Sequence, residues 1–432
     1  MARTGVNIQV NNTTFSGVPK VNENSMIFYL GVEIVGTTED FSDVYFAPPS
    51  AYTSFEQFSE AMGAGADSLK ELMRQVEAYF QPTPNVNNNG KLLWVSQGEC
   101  QLLNDGSGDF NLSTNGLATA IVDAVAGTVA NGFENRPRQL IFVFDENIFG
   151  LGSDPYQSID RAYVDEIYAG ITEAITQLYR EGFSVVAIAP TIHAAFGVSI
   201  DDQNNMIVPD LAELKSPFLA ICAVSTEIKP HADVARAAGY LITKSVGTSI
   251  GDTSAESFAS KMYLITYNGE TLGEYKEAID VSFLDAEVVN ELGDNQFLFT
   301  RTRPPRNGLW WNDGATCADP STGLSTLEAG RTIASIVDDL REFFTSYINT
   351  KVPVADNGDI QSTYKQVVLD AAFSQVIQPY IDSGDISNAR IELKAVNNNM
   401  VESRTWEVKL SILPAPTLRW VDAYVFYVKT LE

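Results

Sequence analysis

Histidine and cysteine are scarce in this 432-residue chain, which contains two histidines and three cysteines. Cys100, Cys222 and Cys317 are odd in number, lie far apart and form no C-x-x-C pair. Disulfide frameworks and zinc sites need paired or clustered ligands. The spacing therefore argues against both, and free thiols in a reducing compartment are expected. Cys222 belongs to the apolar run FLAICAV and is predicted to lie in a buried strand.

Basic residues are also scarce, since Lys and Arg total 28 against 55 Asp and Glu, which gives a formal net charge of -27. Because phosphate binding requires clustered Lys and Arg, this balance argues against a nucleic-acid partner and against an anionic membrane surface. No apolar run approaches the roughly 18 residues that span a bilayer. The N-terminus, MARTGVNIQV, lacks the apolar core of a signal peptide. We expect no membrane association and folding in a cytoplasm.

Motifs that carry chemistry are few, and there is no G-x-x-x-x-G-K-[ST] phosphate loop. The motif GTSIG, with Ser249 at its centre, matches a nucleophile elbow. Both His193 and His231 precede it, however, and it follows a helix pattern, so we interpret it as a turn. His193 follows a predicted strand at the edge where α/β enzymes bind ligands, and an enzyme with a site near His193 is a remote alternative. His231 is expected on the surface. No catalytic, cofactor-binding or metal-binding residue is predicted, and the chain is not expected to be an enzyme.

Apolar periodicity divides the chain into alternating strands and helices. Continuous apolar strands are predicted at 139–145, 183–190 and 218–224, and long amphipathic helices at 160–180 and 327–347. Continuous apolar strands separated by amphipathic helices indicate a parallel sheet covered by helices. Beyond residue 296 the pattern changes to a strand, a turn-rich loop (PPRNGLWWNDG), two helices and closing strands.

The predicted fold class is therefore an α/β middle domain, with a parallel-rich sheet and helices on both faces, plus an α+β C-terminal domain. Extended strand arms are predicted at both ends. The predicted divisions are 1–25 for an N-terminal arm, 26–98 for an inner α+β segment, 99–295 for an α/β outer domain, 296–418 for a C-terminal α+β domain and 419–432 for a C-terminal arm.

Three smaller patterns give further expectations. MIFYLGVEIVGT is predicted as a buried strand pair or as one long strand. A helix is predicted from the N-cap Ser54 to Gly63. In RTWEVKLSIL the apolar residues Trp406, Val408, Leu410 and Ile412 alternate with polar ones, which is typical of a half-buried strand.

The two ends of the chain differ from ordinary termini, which are polar and loosely held. The N-terminal end is polar but contains the alternating segment VNIQV, and the C-terminal end is the strand-forming run RWVDAYVFYVKTLE. A terminal strand can pair within its own fold or add to the sheet of a neighbour, and the sequence leaves that choice open. The residues predicted to form inter-subunit strand arms are Val6, Ile8, Val10, Val421, Ala423, Val425 and Tyr427.

The order of these segments resembles that of contractile phage tail sheath proteins. The stretches that carry the resemblance are MIFYLGVEIVGT, AYTSFEQFSEAMG with the helix and strand that follow it, ADVARAAGYLITKSVGTSIGD, FLFTRTRPPRNGLWWNDGATC, and GRTIASIVDDLREFFTSYINTKV with the closing strands. The chain departs from the family at its start, where ARTGVNIQV stands in place of a PGVYV signature. That departure leaves the role of the first strand open.

The resemblance implies a structural subunit that polymerises as stacked six-fold rings around an inner tube and contracts to drive the tube through the target cell envelope during genome ejection. The implied partners are further copies of the chain, the inner tail tube protein, and baseplate and tail terminator proteins, with no cofactor, nucleic acid or membrane. The implied location is the virion tail, after assembly in the host bacterial cytoplasm. The sheath of a bacterial contractile injection or secretion system is the open alternative. Basic residues around Arg331 and Arg341 are a hypothesis for the tube-facing surface.

Overall fold

A computed structural model describes residues 24–35, 44–63, 69–103, 113–129, 132, 135–145, 161–252, 257, 261–268, 275–303, 306–321 and 323–415. The strands are β1 (Asn24–Val35), β2 (Tyr45–Phe46), β3 (Ser50–Tyr52), β4 (Leu93–Leu103), β5 (Pro137–Phe144), β6 (Val186–Pro190), β7 (Val198–Ile200), β8 (Met206–Ile207), β9 (Leu219–Cys222), β10 (Val224–Ser225), β11 (Tyr263–Asn268), β12 (Tyr275–Asp280), β13 (Phe297–Leu298), β14 (Thr300–Arg303), β15 (Arg306–Trp311), β16 (Ile386–Ala395) and β17 (Trp406–Pro414). The helices are α1 (Phe55–Met62), α2 (Lys70–Phe80), α3 (Thr114–Thr128), α4 (Arg161–Glu181), α5 (Val234–Leu241), α6 (Ala286–Asp294), α7 (Leu327–Thr345), α8 (Ser362–Ala372), α9 (Gln378–Asp382) and α10 (Met400–Ser403).

The largest sheet has eight strands in the order β13-β9-β6-β5-β1-β4-β2, with β3 also paired to β4. The six strands from β13 to β4 run parallel, and the short β2 and β3 run antiparallel to β4. The continuous apolar runs predicted for β5, β6 and β9 are buried along almost their whole length. This confirms a mixed α/β fold with a parallel-rich sheet.

Strand β1 is an interior strand of that sheet. It pairs with β4 from Ser25–Leu93 to Val35–Leu103 and with β5 on its other side. Its residues Met26 to Leu30 are all buried, as expected for a strand covered on both faces. Of the two alternatives for MIFYLGVEIVGT, one long strand is therefore correct.

Helix α1 begins and ends where the sequence provides caps. The Ser54 hydroxyl accepts a hydrogen bond from the Gln57 amide at 3.2 Å, and α1 ends before Gly63, whose φ is +51°. This confirms the predicted helix and its caps.

Helices α2 and α5 cross at Gly239, where a Cβ atom would lie 2.3 Å from the carbonyl oxygen of Tyr79. Only a residue without a side chain allows that approach.

A second sheet of five strands has the order β10-β11-β7-β8, with β12 also paired to β11. The run predicted as one strand at 218–224 divides between the two sheets, because β9 pairs in the first and β10 in the second. The short strands of the second sheet carry too few residues for a periodic pattern to be read from the sequence.

The turn-rich loop predicted for PPRNGLWWNDG is partly wrong, since β14 and β15 pair as an antiparallel hairpin. Thr300 lies opposite Trp311 and Thr302 opposite Leu309. Leu309, Trp310 and Trp311 are buried, and burial of these strand-forming side chains outweighs the preference of the neighbouring prolines and glycine for turns.

The C-terminal part has its own apolar core. Helices α7, α8 and α9 pack with the antiparallel pair β16 and β17, and a π-helical segment (Phe373–Ile377) joins α8 to α9. The helix predicted at 327–347 is confirmed as α7, which begins after the N-cap Thr326. None of the helices in the described part of the chain is both long and apolar enough to cross a membrane.

The predicted division into domains stays a prediction. The large sheet takes β1 to β4 from the first segment, β5, β6 and β9 from the middle and β13 from the last, so it extends across the expected boundaries at 98 and 295. Both predicted arms fall almost wholly outside the described residues, which begin at Asn24 and end at Ala415.

Candidate assembly interface

The carboxyl ends of β5 and β6 lie where an α/β enzyme binds its ligand, and side chains from α2 and α5 fill that place. The cavity lined by Glu71, Gln75 and His231 holds about 10 Å³. A space of that size holds at most one water molecule, so it accommodates no substrate.

The ion pairs and hydrogen bonds of Asp233, beside this cavity, stabilise the packing of helices. The fully buried Asp233 pairs with Arg74 and Arg236, and accepts hydrogen bonds from the amide and hydroxyl of Thr226 at 3.0 and 2.8 Å. Burial alone would raise the pKa of Asp233, but these partners outweigh it and hold that pKa below its ordinary value. A carboxylate kept ionised by two guanidinium groups is a poor proton donor or acceptor at neutral pH. Instead, the carboxylate of Asp233 holds α2 and α5 together through Arg74 and Arg236.

The two histidines have structural roles. His193 is buried, and its Nδ1 accepts a hydrogen bond from the Ala195 amide at 2.9 Å. His231 is also buried, and its carbonyl oxygen accepts from Arg74 at 3.2 Å. The prediction that His231 lies on the surface is wrong, because the segment before α5 packs under α2.

Ser249 lies in a turn, as predicted, and its hydroxyl accepts from the Gly251 amide at 3.1 Å. Among the described residues no group of three or more histidine, cysteine, aspartate or glutamate side chains could hold a metal ion.

The three cysteines are free and buried. Burial raises the pKa of the Cys100 and Cys222 thiols to about 12, and it also raises the pKa of Cys317. Because the thiolate is the reactive form, these thiols are inert at neutral pH. Cys222 lies in β9, as predicted from its apolar run.

The hairpin of β16 and β17 is the longer of the two isolated strand pairs among the described residues. The two strands pair from Ile386–Pro414 to Ala395–Trp406. Within the described residues no third strand pairs with either of them. Each strand therefore presents one edge of main-chain donors and acceptors that is available for another strand.

The two faces of the hairpin differ. On the polar face Arg390 pairs with Glu392 at 3.1 Å and Lys394 with Glu407 at 3.0 Å. These ion pairs are exposed and contribute little to stability. They keep a long, flat strand pair soluble, as charged edge residues commonly do.

The apolar face packs against the C-terminal core but is only partly covered. Leu393 and Ala395 are buried, but Trp406, Leu410 and Ile412 are half-buried, which confirms the predicted half-buried strand. Val408 is more exposed than the pattern predicts, at 37%. The ring of Trp406 lies 6.2 Å, centre to centre, from that of Phe344 in α7 and 5.6 Å from that of Tyr347 just beyond it, so this end of the hairpin rests on the end of α7.

Helix α7 joins this hairpin region to the large sheet. Asp338 on α7 forms an ion pair with Arg136 at 2.5 Å, next to β5, and Arg341 donates to the carbonyl oxygen of Gly182 at 2.8 Å. Arg331 is 2% exposed and donates to the carbonyl oxygens of Leu241 and Lys244.

The hypothesis of a tube-facing surface at Arg331 is therefore wrong, because its guanidinium is buried between α5 and α7. The guanidinium of Arg341 is also hydrogen-bonded within the subunit, since it donates to the Ser184 hydroxyl and to the carbonyl oxygen of Tyr179 as well. Amphipathic spacing alone could not distinguish an inward arginine from an outward one.

The residues predicted to form the strand arms lie outside the described residues: Val6, Ile8, Val10, Val421, Ala423, Val425 and Tyr427. The buried networks around Asp233 and Asp338 were not predicted. Each joins residues far apart in sequence, Arg74 with Asp233 and Arg136 with Asp338, and no local pattern signals such partners.

No protein-family model and no curated protein matches this sequence. Solved structures do match over nearly the full length. The chain is similar to the contracted sheath of the extracellular contractile injection system PVC, with a TM-score of 0.55 and 11% identity over 99% of this chain and 98% of that one. It is similar to the contracted helical sheath of the anti-feeding prophage, with a TM-score of 0.56 and 12% identity over 99% of both chains. A chain of the anti-feeding prophage baseplate matches with a TM-score of 0.52 and 10% identity over 99% of both. The chain thus shares the fold of contractile sheath proteins, which confirms at the level of fold the resemblance seen in the sequence.

Proposed function

We propose that this chain is the structural subunit of a contractile tail sheath that polymerises as stacked six-fold rings around an inner tube. The observation that carries the proposal is the near-full-length likeness to two contracted sheath chains. Side chains of α2 and α5 fill the space at the carboxyl ends of β5 and β6, and this supports a mechanical rather than an enzymatic role.

Strand exchange between copies is the proposed means of assembly. Among the described residues both outer edges of the β16–β17 hairpin are unpaired, and main-chain pairing supplies affinity without a special side-chain motif. The strands donated would be VNIQV, through Val6, Ile8 and Val10, and the closing run, through Val421, Ala423, Val425 and Tyr427. Such heterologous contacts do not close on themselves and therefore build helical arrays.

Contraction is proposed to use energy stored in the assembly, released as subunits move as rigid bodies. The buried contacts of α7 with the large sheet suit that role, because they join the C-terminal helices to the rest of the subunit. The C-terminal domain and the first hundred residues would form the inner layer near the tube, and the α/β middle would face outward. The further partners would be the inner tube protein and the baseplate and tail terminator proteins, in a virion tail assembled in the bacterial cytoplasm.

A second candidate is the sheath of a bacterial contractile injection system. The observation that favours it is that the similar sheath structures belong to the PVC and anti-feeding prophage systems. Neighbouring genes distinguish the two, since terminase genes accompany a phage tail, and a dedicated ATPase or toxin cargo accompanies an injection system.

Negative-stain electron microscopy of the purified full chain at rising concentration tests the proposal. We expect striated tubes of uniform diameter. A chain that stays monomeric at high concentration, with both ends intact by mass spectrometry, contradicts a sheath function. Incubation with common metabolite classes should reveal no turnover.

A further inference from the structure

The turn that contains the GTSIG motif lies between the two apolar cores of the subunit. It comprises residues 245–251, after α5, and we call it the joint turn. Val246 is buried in the C-terminal core, whereas Ile250 is buried in the core around the large sheet. Among the described residues, Val246 is the one buried member of the C-terminal core that precedes residue 336. One short turn therefore places an apolar side chain in each core.

The joint turn is hydrogen-bonded to the base of the C-terminal hairpin. Asp385 directly precedes β16, and its Oδ1 accepts from the Gly247 amide at 3.0 Å and from the Ser245 hydroxyl at 3.4 Å. Its Oδ2 accepts from the Ser383 hydroxyl at 2.7 Å. Both carboxylate oxygens are thus bonded, and hydrogen bonds to an ionised acceptor are the stronger kind. The carboxylate of Asp385 therefore connects the start of β16 to the turn.

Two glycines of the GTSIG motif lie in direct contact with neighbouring segments. A Cβ atom on Gly247 would lie 2.4 Å from Oδ1 and 2.7 Å from Cα of Asp385. A Cβ atom on Gly251 would lie 2.3 Å from the carbonyl oxygen of Asn312, just after β15. Neither glycine has a positive φ, so the turn itself does not require them. The close approach of the segments requires them, because only a residue without a side chain permits it.

The joint turn is a second connection between regions that α7 already joins. Asp338 on α7 pairs with Arg136 beside β5, and Arg331 on α7 donates to the carbonyl oxygen of Lys244, just before the turn. A region attached along one helix can still rotate about that helix, and hinges of this kind need only a few residues. Asp385 lies at the start of β16 rather than on α7. Its bonds to the turn therefore oppose such a rotation.

We propose that the joint turn fixes the orientation of the hairpin of β16 and β17 relative to the large sheet. The edges of this hairpin that are unpaired among the described residues would then face other copies in one direction. The proposal rests on the proposed sheath function and adds to it a positioning element within each subunit. A subunit whose competent orientation is only partly populated binds its neighbours more weakly by that fraction.

The distance between two spin labels tests the joint in the monomer. One label is attached at Arg390→Cys, at an exposed position of β16, and the other at Lys91→Cys, at an exposed position just before β4. The three native cysteines are buried and should stay unlabelled. Pulsed electron paramagnetic resonance then gives the distribution of distances between the hairpin and the large sheet.

Two substitutions weaken the joint, and each has a matched control. Asp385→Ala removes the acceptor, and Asp385→Asn is its control because the amide oxygen can still accept from the Gly247 amide. Gly247→Ala adds a methyl group at the close approach. Its control is Gly323→Ala, at an exposed glycine where an added Cβ atom would have no neighbour within 4 Å.

We expect one narrow distance in the labelled parent and in both controls. Asp385→Ala should broaden the distribution about twofold or more, because the turn loses its hydrogen-bond acceptor, and Gly247→Ala should shift or broaden it. If the competent orientation falls to about a fifth of the population, the critical concentration of the unlabelled chain for polymerisation rises about fivefold. Circular dichroism confirms folding, and if Gly247→Ala does not fold, Asp385→Ala decides because it adds no atom.

An unchanged distance distribution in folded Asp385→Ala overturns this inference and leaves the sheath function standing. A broadening that Asp385→Asn shares also overturns it, since the hydrogen bond is then not the cause. A broader distribution with an unchanged critical concentration overturns the link between the joint and assembly. Failure of the wild-type chain to polymerise overturns the sheath function itself, and the distances in the monomer still decide whether the turn fixes the hairpin.

Discussion

The large sheet and the C-terminal hairpin differ in how far their strands are paired and their apolar side chains are buried within the subunit. Strand β1 has a parallel neighbour on each side, and its described side chains are buried. Strands β16 and β17 have only each other among the described residues, and most of their apolar face is half-buried or exposed. One region satisfies its main chain and its apolar surface within the subunit, and the other does not.

On the proposed sheath function, folding and assembly should depend on different parts of the molecule. The free energy of unfolding of a subunit should depend on the sheet core and on the buried networks around Asp233 and Asp338. Polymerisation should depend on the hairpin edges and on whatever strand covers them. Mutations in the two regions should then separate the two properties.

The largest expected effect is on assembly and comes from removing residues 419–432. Without the closing run, we expect polymers to disappear from electron micrographs, because the hairpin edges lose their donated strand. The thermal midpoint of the subunit should change little, since the sheet core lies elsewhere. Removal of only residues 430–432, which are mostly polar, is the matched control and should leave polymers intact. Unchanged tubes from the longer deletion contradict the donor-arm proposal.

The second expected effect is on the stability of the subunit. Asp233→Ala leaves Arg74 and Arg236 without their shared carboxylate in a buried site. Removal of one partner of a buried ion pair costs about 3–5 kcal/mol, measurable by urea denaturation of the monomer. A free energy of unfolding within about 1 kcal/mol of the wild-type value would show that the ion pairs of Asp233 do not stabilise the packing of α2 against α5.

Asp233 should also make the free energy of unfolding depend on pH. Because the folded-state pKa of Asp233 lies below its ordinary value, its contribution is fully present above the unfolded pKa of about 3.9. It is lost as the pH falls through the folded pKa, since the unfolded state then binds more protons. Denaturation of the monomer followed from about pH 6 to about pH 3 should show a steeper loss of stability in wild type than in Asp233→Asn. Parallel curves contradict the assigned role.

The smallest expected effect comes from a pair of truncations in the two regions. Ile141→Ala in β5 removes a fully buried side chain and should cost about 2–5 kcal/mol. Leu413→Ala in β17, where the side chain is 60% exposed, should cost within about 0.5 kcal/mol. It should nevertheless raise the critical concentration for assembly. Equal costs in the monomer mean that the hairpin is covered within the subunit.

The sequence predicted the buried parallel strands well, because continuous runs such as those of β5, β6 and β9 have few other stable placements. The start of α1 after Ser54 followed from local hydrogen-bonding chemistry, and α7 followed from its amphipathic spacing. The second strand of the β14–β15 hairpin was missed because prolines and a glycine surround it. The burial of His231 and Arg331 was missed because it depends on helices that meet only in three dimensions. The strand arms stay a prediction, because a terminal strand can pair within its own fold or with a neighbour, and its sequence does not distinguish the two.

Inter-chain cross-linking tests the central claim most directly, since the three native cysteines are buried and give little background. One tagged chain carries Val425→Cys in the closing run, and a second carries either Arg390→Cys or Lys409→Cys at exposed positions of β16 and β17. After mixing, assembly and mild oxidation, we expect a disulfide between the two differently tagged chains at one of the hairpin positions. If chains carrying both cysteines form the bond only within one chain, and mixed chains form none, the closing strand covers its own sheet and the account is contradicted.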